Sequence, residues 1–193
     1  SLSLRNTHFD YHGIQDLANS SFLKNLTSLN LMSNAVGDKG LLLLAESAHL
    51  SQLESLNLEY AGITALGILA LSQSPHLSRL KELNVSGNNL GEKGLRILAD
   101  SGNFKNLVKL RASGIPMGDS GFQALVQSNN LSQLEELEAM GNTITRESLD
   151  SLANSSKLPQ LKKLDLRRNK LKEADLIFLA DFPKFHDLEA LRF

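Results

Sequence analysis

Leucine recurs along this chain at a fixed step of 27 residues, and no other feature narrows the possible folds as much. Leu26, Leu53, Leu80, Leu107, Leu134, Leu161 and Leu188 form one column. Leu2, Leu29, Leu56, Leu83, Leu110, Leu137, Leu164 and Leu191 form a second. A third runs Leu4, Leu31, Leu58, Val85, Ala112, Ala139, Leu166 and Phe193. Leucine supplies 41 of the 193 residues, so one coincidence would carry little weight, but several columns in register do. A period of this size marks an array of supersecondary units, none of which can bury its apolar face alone.

Each unit changes its apolar spacing half-way. The stretch around the second and third columns alternates apolar and polar residues, the pattern of a half-buried strand. Leu41, Leu44 and Ala45 then fall at i, i+3, i+4, which is one face of a helix. Ile68 and Leu71 repeat it, as do Leu95, Leu98 and Ala99; Phe122 and Leu125; Leu149, Leu152 and Ala153; and Leu176, Leu179 and Ala180. Asp38, Glu92, Asp119 and Glu173 sit just before those faces, where a carboxylate favours a helix N-terminus. Gly13, Gly40, Gly67, Gly94 and Gly121 stand one residue before the helical apolar position, where a missing side chain lets neighbouring coils approach closely.

Residues 26–52 read LTSLNLMSNAV and then GDKGLLLLAESAHLSQ. This resembles the leucine-rich repeat family, with its LxxLxLxxNxL strand half, and specifically the ribonuclease-inhibitor-like class with its long helical half. The chain differs in holding a constant 27-residue unit and in never placing Cys at the Asn position. The resemblance covers the whole chain. It implies an α/β leucine-rich repeat solenoid: a curved, right-handed horseshoe with a concave parallel sheet and convex helices.

Elementary packing leads to the same shape. Parallel strands repeat about every 4.8 Å, whereas helices pack no closer than about 8–10 Å, so a stack of strand–helix units must curve with the sheet inside. Two polar columns are read as structural. Asn34, Asn88, Asn142 and Asn169 can donate and accept at once and so satisfy turn backbone; Thr7, Ala61 and Ile115 interrupt that column. Ser20, Ser47, Ser74, Ser101, Ser128 and Ser155 lie near helix ends and can cap freed carbonyls.

No linker or low-complexity tract appears, which gives a single domain over residues 1–193. It has about seven units, starting near Leu26, Leu53, Leu80, Leu107, Leu134, Leu161 and Leu188, after a partial first unit. The chain opens and closes inside strand patterns without visible caps, and an excerpt of a longer protein is expected. The last unit differs, holding Phe178, Phe182, Phe185 and Phe193, four of the eight phenylalanines. These four are read as a partial cap or as a seam to something beyond.

Several function classes are disfavoured. Twenty basic against 21 acidic residues leave a net charge of −1, unlike a nucleic-acid binder. Without cysteine there is no disulfide, thiolate metal site or cysteine nucleophile. No apolar run reaches the roughly 20 residues of a membrane span. His8 and His12 stand at i, i+4, but a third ligand and a general base are missing. GNNLGEKG at 87–94 lacks phosphate-loop spacing, and no serine sits in a nucleophile elbow. No catalytic residue, metal or cofactor is therefore expected. Asn-x-Ser/Thr triplets begin at Asn19, Asn25, Asn84, Asn130 and Asn154, as Asn- and Ser-rich repeats readily produce. Extracellular members of the family carry cysteine-rich caps, so a cytoplasmic setting is expected, or the host cytosol for a secreted bacterial effector.

What remains is a surface. The columns that face outward on the sheet side vary while the leucine columns do not, and variation at equivalent positions marks where the fold imposes nothing. Interface anchors favour Tyr, Arg and Met. The expected partner contacts are Met32, Glu59, Tyr60, Arg111, Glu138, Met140, Arg167 and Arg168. On the helix side, Leu42, Leu69 and Ile177 fall where solvent is expected; they form an apolar patch unless the helices rotate to bury them. The leading expectation is a non-catalytic module that binds a protein partner on the concave sheet, as an inhibitor or as the targeting arm of a bacterial effector or ligase adaptor. The alternative is an architectural spacer or scaffold that self-associates through the convex face.

Overall fold

Strand segments of two or three residues recur once per unit and lie side by side in chain order. The computed structural model describes every residue except 181, 183, 184 and 187, and the side chains of Leu176 and Ala180 also lie outside the described set. The strands are β1 (Leu2–Ser3), β2 (Ser28–Asn30), β3 (Ser55–Asn57), β4 (Glu82–Asn84), β5 (Lys109–Arg111), β6 (Glu136–Glu138), β7 (Lys163–Asp165) and β8 (Ala190–Arg192). They form one eight-stranded sheet in the order β1 to β8. All seven pairings are parallel, and each joins residues one repeat apart, as in Leu29 with Leu56 and Leu83 with Leu110. A one-residue slip would turn the leucines to solvent, so the register is strongly specified.

Between strands the chain returns through α1 (Tyr11–Ala18), α2 (Gly37–Glu46), α3 (Ala65–Ser72), α4 (Gly91–Asp100), α5 (Gly118–Val126), α6 (Arg146–Ala153) and α7 (Glu173–Ala180). The molecule is thus an α/β solenoid with the sheet on its inner face and the helices on its outer face. Each unit contributes a set of buried apolar side chains to a continuous core. In one central unit Leu83, Val85, Leu90, Leu95, Leu98, Phe104 and Leu107 are all buried. The helical positions read from the spacing are buried as expected, except that Ala153 is only partly so. Of the α7 set only Leu179 can be placed, since the Leu176 and Ala180 side chains are outside the described residues.

The polar columns work between units. Asn88 Oδ1 accepts from the Ala61 and Ile63 N–H groups, both at 3.1 Å. Its Nδ2 donates to the carbonyls of Leu58 at 2.8 Å and Val85 at 2.9 Å. Asn34, Asn142 and Asn169 likewise reach back one unit. Ala61 and Ile115 are buried apolar residues whose own turns are satisfied by the Asn of the next unit. The serines behave in parallel: the hydroxyls of Ser47 and Ser128 donate to Ala18 and Ala99 carbonyls at 2.5 Å, and Ser74 to the Ala45 carbonyl. Each closes the helix end of the preceding unit.

Asp38, Glu92, Asp119 and Glu173 stand in the first turns of their helices, as expected, and two of them also reach across the seam. Asp38 does not cap its own helix. Its Oδ1 accepts from the Thr64 N–H at 2.8 Å and the Gly67 N–H at 2.9 Å, and its Oδ2 from the Thr64 hydroxyl at 2.7 Å. Asp119 does the same to Thr145 and to the Ser148 hydroxyl. The reason lies in two ways of starting a helix. At α2 and α5 a left-handed Gly37 or Gly118 leads in, and its N–H goes to a carbonyl of the next unit. At α3 and α6 an extended Thr64 or Thr145 caps instead, and the neighbouring Asp satisfies the remaining donors. Glu92 pairs along its own helix with Arg96. The close approach foreseen for the glycine column is present: a Cβ on Gly94 would lie 2.8 Å from Leu90 Cβ and 3.4 Å from Ala65 Cα. At the C-terminal end Phe178 meets Phe182 edge-on at 4.7 Å, and the Arg146 guanidinium lies over the Phe178 ring.

Asn88→Ala is expected to cost on the order of 3 kcal/mol or more, because it strands several buried backbone groups at about 1–3 kcal/mol each. Asn30→Ala, which frees only the Met32 N–H, is expected to cost about 1 kcal/mol or less. Urea denaturation midpoints of the two variants provide the check.

Candidate functional site

The sheet's inner face is built by the residue that follows each strand leucine and by the short turn after it. Asn30, Asn57, Asn84 and Asp165 each accept, through Oδ1, the N–H two residues on. They therefore end their strands as well as facing outward, and are half-buried or buried. The turn then passes through a left-handed residue in unit after unit: Asn6, Ser33, Tyr60, Gly87, Gly114, Gly141 and Arg168 have φ between 52° and 68°. Glycine takes this conformation freely, whereas an ordinary L-residue pays roughly 1–2 kcal/mol. Tyr60 and Arg168 hold it nonetheless, with large side chains in solvent. Backbone strain of this kind collects at functional positions.

These two residues flank a depression of about 320 Å³ on the inner face. Glu59, Tyr60, Arg111, Glu138, Met140 and Arg168 line it, so six of the eight expected contacts come together. The Tyr60 ring occupies the space over Gly87, where a Cβ would collide with it. Arg111 Nε donates to Glu138 Oε1 at 3.0 Å across adjacent strands. Glu59 Oε2 accepts from Asn84 Nδ2 at 3.0 Å. Met32 and Arg167 stand apart from the depression. Met32 lies one unit before Glu59 in the same column. Arg167 is drawn onto Asp165, with Nη2 to Oδ2 at 2.6 Å and Nε to Oδ1 at 2.9 Å, so its charge is largely spent. Burial pulls the Asp165 carboxyl upward, but hydrogen bonds from Arg167 and the charges of Arg167 and Arg192 outweigh it and hold it below the usual range.

Asn84, Ser86, Ser113, Gly114 and Gly141 also line the depression. They stand in the outward-facing columns of the sequence but were not among the expected contacts, because small and amide side chains are not typical interface anchors. Ser86 Oγ accepts from the Ser113 N–H, and Ser113 Oγ from the Met140 N–H, a ladder that only stacking creates.

Beyond the depression the inner face carries a charge ladder. Glu136 Oε1 meets Lys163 Nζ at 2.6 Å, and its other oxygen meets Lys109. Lys109 and Lys163 hydrogen-bond the Glu136 carboxyl and hold it down at about 2. Lys163 and Arg167 are thus neutralised in place, on Glu136 and Asp165. Among the described residues no group of three or more His, Asp or Glu is arranged to hold a metal ion, and His8 and His12 gain no third ligand.

On the outer face Leu42, Leu69 and Ile177 are exposed rather than rotated inward. Leu66, not foreseen, joins Leu42 and Leu69 around a shallow groove of about 250 Å³ between α2 and α3.

Comparison with known proteins bears on the fold. Three segments, residues 22–45, 49–72 and 76–99, match the family model described as Leucine Rich repeat. The internalin C2 structure from Listeria monocytogenes str. 4b F2365 is 24% identical, with a TM-score of 0.61 over 100% of this chain and 80% of that one. The Listeria monocytogenes InlP structure is 18% identical, with a TM-score of 0.61 over 98% of this chain and 48% of that one. At these identities the likeness is one of fold. No curated protein matches the chain in sequence.

Tyr60→Gly and Arg168→Gly are expected to leave stability within about 1 kcal/mol of the parent, because released strain offsets the added chain entropy. Gly114→Val in the same column is expected to cost about 1–2 kcal/mol. Thermal melts compare the three. For Glu136 the folded carboxyl holds its proton less tightly than the unfolded one, whose ordinary value is 4.5. The ladder's contribution to stability is then complete above about pH 4.5 and fades as pH falls toward 2. Carboxyl-carbon NMR titration is expected to show Glu136 moving back toward its ordinary value in the Lys109→Met, Lys163→Met double variant.

Proposed function

We propose that this α/β leucine-rich repeat solenoid is a non-catalytic recognition module that grips a protein partner on its inner sheet face. The observation that carries the reading is the pair of strained, exposed side chains at Tyr60 and Arg168 on either side of one depression. A fold that needs only glycine at those positions spends stability to display an aromatic ring and a guanidinium there. Both side chains are favoured anchors in protein interfaces. Arg111, Glu138, Met140 and Glu59 complete the contact surface, with Met32 and Arg167 at its margins. The module acts by occluding its partner, as an inhibitor, or by directing a larger protein to it, as the arm of an effector or ligase adaptor. Helices of eight to ten residues support placing its 27-residue units in the ribonuclease-inhibitor-like class. No described helix is long and apolar enough to cross a membrane.

The exposed Leu42, Leu66 and Leu69 favour a second reading, a scaffold that self-associates through its outer face. Affinity capture from cell lysate separates the two. Tyr60→Ala and Arg168→Glu are each expected to lose the captured proteins at least tenfold, while Leu42→Glu keeps them. Capture indifferent to both inner-face changes, with a lower sedimentation coefficient in Leu42→Glu alone, would transfer the function to the outer face.

A further inference from the structure

The depression between Tyr60 and Arg168 is bipolar, and its floor is bare. Among the described residues neither Glu59 nor Arg168 has an ion-pair partner, whereas Arg111 and Glu138 between them neutralise each other. At one end the Glu59 carboxylate, steadied by Asn84, sits next to the exposed Tyr60 ring. A carboxylate beside an aromatic face attracts a cation twice over, by charge and by the ring quadrupole. At the other end Arg168 offers a planar guanidinium suited to a carboxylate. Gly114 and Gly141 separate the two ends. A Cβ on Gly114 would lie 3.9 Å from the Gly87 nitrogen, and one on Gly141 would lie 4.0 Å from the Gly114 nitrogen, so these turns abut with no side chain over them. The floor is also rich in donors: Ser86 and Ser113 accept backbone N–H groups and, among the described residues, donate to nothing.

From these features we infer that the partner of this site is an extended peptide segment laid across the strands. It carries a Lys or Arg at the Tyr60 end and an Asp or Glu at the Arg168 end. The inference rests on the inner face being the binding face. The four strand steps from Tyr60 to Arg168 span about 19 Å, which an extended chain covers in about six residues. The bare glycines let the segment's main chain come close, and the two serine hydroxyls donate to its carbonyls. Arg111 and Glu138, already paired, exclude an isolated charge from the middle of the segment. The charge pattern fixes the segment's direction along the array.

The test is selection from a displayed library of randomised peptides on the whole 193-residue chain. Enriched peptides are expected to carry a basic and an acidic residue about six positions apart. Arg168→Glu is expected to replace the acidic preference with a basic one. Gly114→Asn, which keeps a residue tolerant of the left-handed backbone but puts a side chain on the floor, is expected to reduce enrichment at least tenfold without lowering the melting temperature by more than a few degrees. No enrichment, enrichment without the charge pair, or indifference to Gly114→Asn would overturn the inference. If lysate capture still depends on Tyr60 and Arg168 in that case, inner-face binding stands and only the extended-segment partner falls. If capture is also indifferent to them, both fall.

Discussion

Every unit of this protein is completed by its neighbour, and the rest of the structure depends on that contact. A single strand–helix unit has a leucine column on one side of a sheet one strand wide, and nothing to cover it. Stacking supplies an identical column one strand away, and the core becomes continuous from Ile14 to Phe185 with almost no exposed area. The polar groups obey the same rule. Asn88 satisfies the turn before it, Ser128 the helix end before it, and Asp38 the helix start after it. These side chains reach across the seam between units because the backbone groups left over by a strand–turn–helix path lie there.

That mutual completion leaves the inner face underdetermined, and this is where the chain departs from economy. The turn after each strand must pass through left-handed backbone, and Gly87, Gly114 and Gly141 do so without cost. Tyr60 and Arg168 adopt the same geometry at a cost, and nothing in the core asks for either side chain. Elsewhere on the face, charge is disposed of locally: Glu136 between Lys109 and Lys163, Arg167 on Asp165, Arg111 on Glu138. A surface that looks mixed and heavily charged in composition is therefore mostly neutral in place, and Glu59 and Arg168 stand out against it.

The outer face follows a different logic. Helices placed about 8–10 Å apart leave grooves between them, and Leu42, Leu66 and Leu69 line the one between α2 and α3, with Asp38, Lys39 and Gln73 at its edges. Hydrophobic spacing alone left open whether Leu42 and Leu69 were buried, because α2 and α3 are apolar around much of their circumference. Only the observed rotation of the helices, fixed by Leu41, Leu44, Ile68 and Leu71 entering the core, turns them outward.

Period and spacing were enough to establish the solenoid, its parallel register and the buried helical faces, because a one-dimensional repeat converts sequence distance directly into spatial adjacency. Column by column, position i touches position i+27, and no folding simulation is needed to know it. The direction in which Asp38 and Asp119 cap, and the pairing that removes Arg167 from the exposed charges, were decided in three dimensions. Each depends on angles and reach between neighbouring units, which a list of residues does not carry. Tyr60 shows the division most plainly. Its identity was visible from the start, but its left-handed backbone and the ring resting over Gly87 exist only once adjacent units have closed against each other.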